Sequence, residues 1–394
     1  MNDRIVAQKI LTKFKDSNLY HSGAFHRERQ KEKYLTWKEF GHLSDVEYSW
    51  LAARGCTIKQ YLQKNPDPRR EEVVARFHAC IKSCQSVGLN LSHTSIYDAT
   101  PGFLVEEYLS VVNQITSEVW ENSTMKKEEY TTLKNNHTVS QMCARNSLKF
   151  DTSWISRNTH NSRLRSFMKK KAHKKIRYDI FGTKTGRFAT SGSSFPILSL
   201  DKSFRNMLVP NNDLFAVFDF NAAEIRTLLS LSGIEQPSID IHEWNRVNLF
   251  KSKISRQQSK QKFFAWLYNP DAIAPFESIY DRRTVQQKHW DQSGFIETPF
   301  ARKISATPRL SLNYLLQSST NDAIMESLLG ALSCNPVFKN SLAFVIHDSV
   351  VLDCSRPQAS ELTKFKESLE NTRFGKYRCS FHVGKNFGEL KEIL

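Results

Sequence analysis

The sequence lacks the features that would place the protein in a membrane, in an export pathway or in a repeat architecture. It contains no uninterrupted apolar run of about 18 residues, the length that a membrane-spanning helix needs. Residues 1–17 lack the unbroken apolar stretch of a secretory signal. No internal repeat and no Gly/Ser-rich linker divides the chain. We therefore expect a protein that is neither membrane-bound nor exported, and that lies in the cytoplasm.

The seven cysteines are poor candidates for disulfide or zinc chemistry. They are odd in number and widely spread, and no two of them form a C-x-x-C pair. Cys80 and Cys84 stand four residues apart in a stretch with helical spacing, where packing explains them better than chemistry. This cysteine usage fits a reducing cytosol.

The chain does have ample apolar material and an excess of positive charge. Hydrophobic residues make up 40% of its 394 residues and aromatic residues 11%, which predicts packed cores in two or three domains. Lys and Arg number 56 against 40 Asp and Glu, so the formal net charge is +16. Such an excess indicates a polyanionic partner, with nucleic acid as the first candidate.

The positive charge is concentrated in the first half of the chain. Residues 1–180 carry 30 basic and 19 acidic residues, whereas residues 181–394 carry 26 and 21. One run, 163–177, has eight basic residues in fifteen and no acidic residue. It predicts an N-terminal region that binds nucleic acid, with a solvated basic face as the alternative.

Hydrophobic periodicity predicts a largely helical N-terminal half followed by an α+β C-terminal half. In the first half, residues 69–88 and 103–120 have helical spacing. In the second half we expect strands over 177–188 and 214–220, helices over 221–232, 254–268 and 308–332, and a hairpin made by 342–346 and 350–352. The predicted fold class is therefore α+β, with a small sheet that carries polar residues at its strand ends.

Two acidic residues, Asp219 and Asp348, each end an otherwise apolar strand. If the two strand ends meet, the carboxylates need a cation to offset their repulsion, and such a pair can hold two Mg²⁺ ions roughly 3.5–4 Å apart. That arrangement serves phosphoryl transfer. The alternative is that each aspartate merely begins a turn. Asn221 and Glu224 have the spacing of a helix capping box, which alone would explain both residues.

Two predicted helices carry polar or aromatic residues at every fourth position, which places each set on one helix face. On the first, two cations suit a triphosphate, while the phenyl and phenol suit a sugar and a base. On the second, amide side chains suit base edges or minor-groove acceptors. The first set is Arg256, Lys260, Phe264 and Tyr268, and the second is Arg309, Asn313, Gln317 and Asn321. An ordinary amphipathic helix is the alternative for the first set.

The order of these motifs resembles that of the family A DNA polymerases, over about residues 174–394. The resemblance rests on Thr185-Gly186-Arg187, Asp219-Phe220-Asn221-Ala222-Ala223-Glu224-Ile225-Arg226, Asp240-Ile241-His242, the 256–268 set, Arg309-x3-Asn313-x3-Gln317-x4-Asp322, and His347-Asp348. It implies a right-hand fold with a helical thumb, an antiparallel-sheet palm and helical fingers. The implied domains are 1–170 for the helical N-terminal region and thumb, 171–245 and 307–394 for the palm, and 246–306 for the fingers.

The resemblance also implies roles for individual residues. Two Mg²⁺ ions would be held by Asp219, Asp348 and the backbone carbonyl of Phe220, with Lys260 as a proton donor to the leaving group. The incoming dNTP would be bound by Arg256, Lys260, Phe264, Tyr268, His242 and Glu224, with Glu224 blocking a ribose 2′-hydroxyl. Primer-template DNA would be contacted by Thr185, Arg187, Arg309, Asn313, Gln317 and His347.

Several positions depart from the family pattern, and they put fidelity and rate in question more than the chemistry. Ser349 stands where the family usually has Glu, and Ala222, Ala223, Asn269 and Ser199 are also unusual. We expect a compact polymerase without proofreading in cis, aided by a separate exonuclease or processivity factor. A phage-encoded chain would act in the bacterial host cytosol. The alternatives are a single-subunit RNA polymerase and an inactive DNA-binding replisome module.

Overall fold

The computed structural model describes residues 4–10, 18–27, 32–38, 46–89, 95, 97–169, 173–269, 271–272 and 275–393. The chain divides into two compact units, Met1–Lys126 and Lys127–Leu394. Lys170 and Lys171, which belong to the predicted basic run, lie outside the described residues. Within the described ranges, no helix combines the length and the apolar character needed to cross a membrane.

The first unit begins with short strands and ends in helices. Its elements are β1 Arg4–Val6, β2 Gln8–Ile10, β3 Asn18–His21, β4 Ala24–Arg27, β5 Lys33–Thr36, β6 Val46–Tyr48, α1 Ser49–Ala52, α2 Ile58–Lys64, α3 Pro68–Ser86 and α4 Gly102–Glu121. Strands β1, β5 and β6 form a parallel sheet, and β2, β3 and β4 form an antiparallel sheet.

The expectation of a helical N-terminal region therefore needs a correction before residue 49. Strands of three or four residues are too short to produce a periodic signal, and charged residues interrupt them. Buried Gln8 links these strands to α4, because its side-chain amide donates to Asn113 Oδ1 at 3.0 Å and accepts from Thr36 Oγ1 at 2.9 Å. The helices predicted over 69–88 and 103–120 are confirmed as α3 and α4.

The second unit contains the remaining elements. Its helices are α5 Lys127–Arg145, α6 Thr152–Arg157, α7 Ser162–Lys169, α8 Ala223–Leu231, α9 Ile241–Asn248, α10 Arg256–Tyr268, α11 Arg282–His289, α12 Pro308–Cys334 and α13 Leu362–Glu370. Its strands are β7 Lys149–Phe150, β8 Tyr178–Asp179, β9 Ala189–Thr190, β10 Leu208–Val209, β11 Leu214–Phe220, β12 Phe295–Glu297, β13 Lys303–Ser305, β14 Leu342–Ile346, β15 Ser349–Cys354, β16 Asn371–Thr372, β17 Gly375–Lys376, β18 Cys379–Gly384 and β19 Lys391–Glu392.

The main sheet of this unit has five strands in the order β14-β15-β11-β18-β19, and every neighbouring pair is antiparallel. Successive side chains of β11 point to opposite faces, as in any strand. On one face, Phe218 packs against Phe365 of α13 with ring centroids 5.3 Å apart. On the other face, Phe215 packs against Phe387 at 6.3 Å. The strand order makes β11 the central strand of the sheet, and its alternating side chains pack against other residues on both faces.

Most elements predicted for the second half are confirmed, including the strand over 214–220 and the hairpin of β14 and β15. Two local predictions are wrong. Residues 177–188 form only the start of a two-strand pair, because the chain turns at Gly182 and at Gly186, whose φ is +75°. The capping box at Asn221 and Glu224 is absent: α8 begins after Ala222, which has φ +54°, and Glu224 has other partners.

Candidate active site

The fold places the two strand-end aspartates side by side. Asp219 lies near the end of β11, and Asp348 lies in the two-residue turn between β14 and β15. The antiparallel register pairs Asp219 with Ser349, which immediately follows Asp348. The backbone of Phe220 also donates a hydrogen bond to the carbonyl oxygen of Asp348 at 3.1 Å. Sheet pairing therefore brings together two residues that are far apart in the sequence.

The environment of Asp348 disfavours a second negative charge. Burial raises the pKa of its carboxyl above the usual value, and the neighbouring Asp219 raises this pKa further. Arg187 and His347 act in the opposite direction. Two carboxylates in one partly buried place are stabilised by a cation between them.

The aspartates open onto a cleft of about 580 Å³. Its lining includes eight residues predicted for the site: Asp219, Phe220, Glu224, His242, Lys260, Phe264, His347 and Asp348. Seven other predicted residues do not line it: Thr185, Arg187, Arg256, Tyr268, Arg309, Asn313 and Gln317. The cleft thus collects the predicted metal-binding residues and half of the predicted nucleotide-binding helix.

Glu224 is held between two side chains at the border of the cleft. Arg187 donates to one of its carboxylate oxygens, and the hydroxyl of Tyr268 donates to the other. Burial is the largest influence on this carboxyl and raises its pKa, while the bond from Tyr268 and the charge of Arg187 lower it. These two donors fix the carboxylate in one orientation. Tyr268 and Arg187 therefore reach the site through Glu224.

Helix α10 presents a cation and an aromatic ring to the cleft. Ser255 and Gln258 form a capping box at its start, which fixes where the helix begins. Phe264 stacks on Tyr268 with ring centroids 5.9 Å apart and lies 5.8 Å from the ring of His242. Burial lowers the pKa of His242 to about 4, and Lys260 and Arg256 add to this shift. His242 is therefore neutral at pH 7.

Arg256 does not enter the cleft. Its guanidinium donates to both carboxylate oxygens of Asp240, at 3.0 and 2.6 Å. Asp240 also caps α9 by accepting a hydrogen bond from the backbone of Glu243 at 2.8 Å. In this arrangement Arg256 ties the start of α10 to the start of α9, whereas Lys260 faces the cleft.

A buried ion pair supports the turn that carries Arg187. Arg302 donates to both oxygens of Asp322 at 2.8 Å, and the side chain of Asp322 is fully buried. Asn136 donates to Asp322 at 2.8 Å, and Asn321 donates to the carbonyl oxygen of Gly186 at 3.2 Å. A Cβ on Gly186 would lie 2.7 Å from the Arg302 guanidinium. Glycine is thus required where the turn crosses the ion pair.

The structure adds cleft residues that sequence reasoning missed. They are Lys202 and Arg205, from the 3-10 helix Lys202–Met207, together with His382, Phe387 and Leu390. The first two precede β11 in the sequence and had a basic character that could have identified them. His382 and Phe387 had no such signal, because only the pairing of β18 with β11 brings them to the cleft.

The donor set fits a hard divalent cation completed by a substrate. In the described part of the chain, no group of three or more His, Cys, Asp or Glu side chains could hold a metal ion. Mg²⁺ is commonly bound by one or two carboxylates together with substrate phosphates rather than by a full set of protein ligands. The apposition of Asp219 and Asp348 at the cleft meets that requirement.

Comparisons with known proteins give one kind of match. No family model matches the sequence, and no curated protein matches it either. Among solved structures, the chain is similar to the POL domain of Pol1 from M. smegmatis in complex with DNA primer-template and dNTP. The two are 12% identical, the TM-score is 0.51, and the match covers 73% of this chain and 76% of that one.

The similarity shows that the chain has the fold of a DNA polymerase POL domain. The predicted resemblance to family A DNA polymerases is therefore confirmed at the level of the fold. The mixed helix and sheet composition agrees with the predicted α+β class.

Proposed function

We propose that this chain is a template-directed DNA polymerase related to family A, which adds deoxynucleotides to the 3′ end of a primer. The observation that carries the proposal is the meeting of Asp219 and Asp348 in one cleft with Lys260 and Phe264 of α10. These residue types provide acidic ligands, a cation and a flat apolar surface. A chain with the fold of a POL domain is a suitable scaffold for that chemistry.

Asp219 and Asp348, with the backbone carbonyl of Phe220, would hold two Mg²⁺ ions. Bound there, the ions would lower the pKa of a primer 3′-hydroxyl and would neutralise charge that develops on the leaving pyrophosphate. The protein's part is to keep the two carboxylates apposed. It does so through the β11–β15 pairing and the hydrogen bond from Phe220 to the Asp348 carbonyl.

Lys260 would bind the triphosphate of the incoming nucleotide. Its side chain is exposed at the cleft, and a mobile ammonium group suits phosphate oxygens. From that position it would donate a proton to the leaving pyrophosphate. Arg256 would assist from the start of α10, provided that it exchanges Asp240 for a phosphate. Phe264 and His242 would border the sugar and base.

Glu224 would select deoxynucleotides. Arg187 and Tyr268 hold its carboxylate at the border of the cleft, so that a ribose 2′-hydroxyl would meet a fixed, already bonded group. The same cleft with a freely rotating side chain would discriminate less. This feature favours DNA synthesis over the alternative of a single-subunit RNA polymerase.

DNA would be contacted by groups around the cleft. Thr185 and Arg187 lie on the supported turn, while Arg309, Asn313 and Gln317 follow one face of α12. His347 lies in the β14–β15 turn beside Asp348. In the predicted division, 1–170 would supply the helical N-terminal region and thumb, 171–245 and 307–394 the palm, and 246–306 the fingers. We propose extension without proofreading in cis.

Primer extension tests the proposal directly. With Mg²⁺, a labelled primer-template and four dNTPs, the wild type should extend the primer. D219A and D348A should not, although both should retain DNA affinity in an anisotropy assay. E361Q changes an exposed acid at the start of α13, on the other face of the sheet, and serves as the control. Extension by D219A at the wild-type rate would refute the assignment.

The same assay separates the alternatives. A preference for rNTPs over dNTPs on the same primer-template would favour the RNA polymerase reading. DNA binding without any extension by the wild type would favour the inactive replisome module.

A further inference from the structure

One wall of the cleft carries positive charge that the proposed reaction does not use. Lys202 and Arg205 come from the 3-10 helix Lys202–Met207, and His382 comes from β18. Side chains three residues apart in a 3-10 helix lie on the same face, so Lys202 and Arg205 project together. This wall is built from elements other than α10, which carries Lys260.

Arg205 is held in place but keeps hydrogen-bonding capacity. Its guanidinium lies over the ring of Phe387, 4.7 Å from the centroid. Its Nε is buried and has no hydrogen-bond partner. Within the described ranges, no ion pair joins Arg205 to a carboxylate. The guanidinium thus lines the cleft as a cation outside any ion pair of the described ranges, and such a group suits phosphate oxygens.

The wall behind Arg205 is rigid. Asn206 donates to Glu389 at 2.9 Å, and the backbone of Phe387 donates to the carbonyl oxygen of Leu208 at 3.0 Å. A Cβ on Gly388 would lie 1.6 Å from the side-chain oxygen of Asn206, so only glycine allows this close approach. The 3-10 helix and the loop after β18 therefore form one preformed surface.

The positive charge continues from this wall onto the surface of the same unit. Phe167 of α7 packs against Phe204 of the 3-10 helix, with ring centroids 6.1 Å apart. Arg163 of α7 is largely exposed and forms an ion pair with Asp201, the residue before Lys202. Cations thus lie on α7 as well as at the cleft, with Asp201 between them offsetting the charge of Arg163. An extended array suits the repeated phosphates of a strand better than one compact pyrophosphate.

We propose that Lys202, Arg205 and His382 form an anion subsite that binds a phosphodiester of the primer strand beside Asp219. The subsite rests on the proposed polymerase function. Burial lowers the pKa of Arg205 while the charge of Asp219 raises it, so the guanidinium keeps its positive charge next to the place where the primer end would lie. Arg205 would contact the phosphodiester through the part of its guanidinium that lines the cleft. Lys202, which is exposed at the cleft, would contact the preceding part of the strand.

The test is binding of a fluorescent primer-template by anisotropy over a series of salt concentrations, without Mg²⁺ or dNTP. R205Q should weaken binding about tenfold and reduce the slope of log affinity against log salt by about one. K202Q should change both quantities in the same direction by less. K364Q is the matched control, since Lys364 lies on α13 at the other face of the sheet, and it should bind as the wild type does.

The outcomes separate the two sources of phosphate. If R205Q binds DNA as the wild type does but raises the KM for dNTP and weakens inhibition by added pyrophosphate, the site belongs to the triphosphate and the primer-strand assignment is overturned. If neither binding nor KM changes, no subsite exists. R205K should recover part of the affinity. Thermal unfolding would reveal a folding defect in R205Q. In that case the test rests on K202Q, whose DNA affinity and salt dependence should change as stated above.

This binding assay is independent of catalysis. Loss of affinity in R205Q with no extension by the wild type would support the subsite and refute the polymerase proposal. Extension by the wild type together with unchanged DNA binding by R205Q and K202Q would support the polymerase proposal and refute the subsite.

Discussion

Ser349 and Asp219 lie directly opposite each other on β15 and β11, and the hydroxyl of Ser349 donates a hydrogen bond to Oδ1 of Asp219. The bond leaves the second carboxylate oxygen of Asp219 for the cleft. A neutral hydroxyl at this position also adds no charge to the pair formed by Asp219 and Asp348. Ser349 therefore acts as a positioning residue for a carboxylate proposed to bind metal.

Replacing Ser349 tests this role through metal affinity. S349A should weaken Mn²⁺ binding about tenfold, because residues that orient a metal-binding carboxylate typically contribute this much. Isothermal titration with Mn²⁺ measures the change without any turnover. S349T keeps a hydroxyl and should recover most of the affinity. An S349A protein that binds Mn²⁺ as tightly as the wild type would contradict the role of Ser349.

The ion pair of Arg302 and Asp322 should dominate the stability of the second unit near the Gly186 turn. D322N removes the carboxylate that pairs with the buried Arg302 guanidinium and leaves only the more distant charge of Glu129, so the free energy of unfolding should fall by about 3 kcal/mol. Urea unfolding measures this change. K303Q, which breaks an exposed pair with Asp291 at 4.0 Å, is the control and should cost less than about 1 kcal/mol. A D322N effect as small as that of K303Q would show that the pair does not support the turn.

Tyr268 should influence the choice of sugar through Glu224. Y268F removes one of the two donors that fix the Glu224 carboxylate, while the phenyl ring keeps its stacking on Phe264. A hydrogen bond to a charged group is worth about 1.5–3 kcal/mol, so discrimination between dNTP and rNTP should fall about tenfold or more.

The ratio of kcat/KM for dNTP to that for rNTP measures the effect of Y268F. Y314F is the matched control, because Tyr314 packs against the same apolar cluster and has no bond to Glu224. If Y268F and the wild type have equal ratios of kcat/KM for dNTP to kcat/KM for rNTP, the orientation of Glu224 by Tyr268 does not contribute to sugar selection.

His242 should make the protein sensitive to acid. Burial lowers its pKa to about 4 in the folded state from the ordinary value of 6.5, so the unfolded state binds more protons between these pH values. The contribution of neutral His242 to the free energy of unfolding is therefore fully present above about pH 6.5 and is lost as the pH falls towards 4. Between pH 7.5 and pH 4.5 the wild type should lose about 2–3 kcal/mol more than H242Q, which cannot titrate there.

Urea unfolding at the two pH values measures this difference. H160Q changes an exposed histidine and should follow the wild type. Parallel losses in the wild type and H242Q would mean that His242 does not titrate as its burial requires.

The two aspartates could be predicted from the sequence because each follows an apolar run that can only be a buried strand. The shared face of Arg256, Lys260, Phe264 and Tyr268 on α10 could also be predicted, because helical periodicity shows which residues lie on one face. Periodicity does not report partners. The pairing of Arg256 with Asp240 and the hold of Tyr268 on Glu224 depend on how α9, α10 and α8 pack, and no local pattern encodes that.

The pairing of strands that are distant in the sequence was the other feature that could not be predicted from the sequence. His382 reaches the cleft only because β18 pairs with β11, and the capping box expected at Asn221 gave way because Ala222 adopts a left-handed conformation. The strands before residue 49 escaped prediction because each has only three or four residues, too few to show a periodic pattern. Tertiary pairing decided these positions.

The alternation along β11 makes the spacing of the chain there as important as its chemistry. Deleting one residue between Leu214 and Val217 would shift every later side chain of the strand to the opposite face, sending Asp219 towards α13 and an aromatic ring towards Asp348. An insertion or deletion along this strand would therefore separate Asp219 from Asp348, whereas an exchange of one apolar residue for another of similar size would keep the two together.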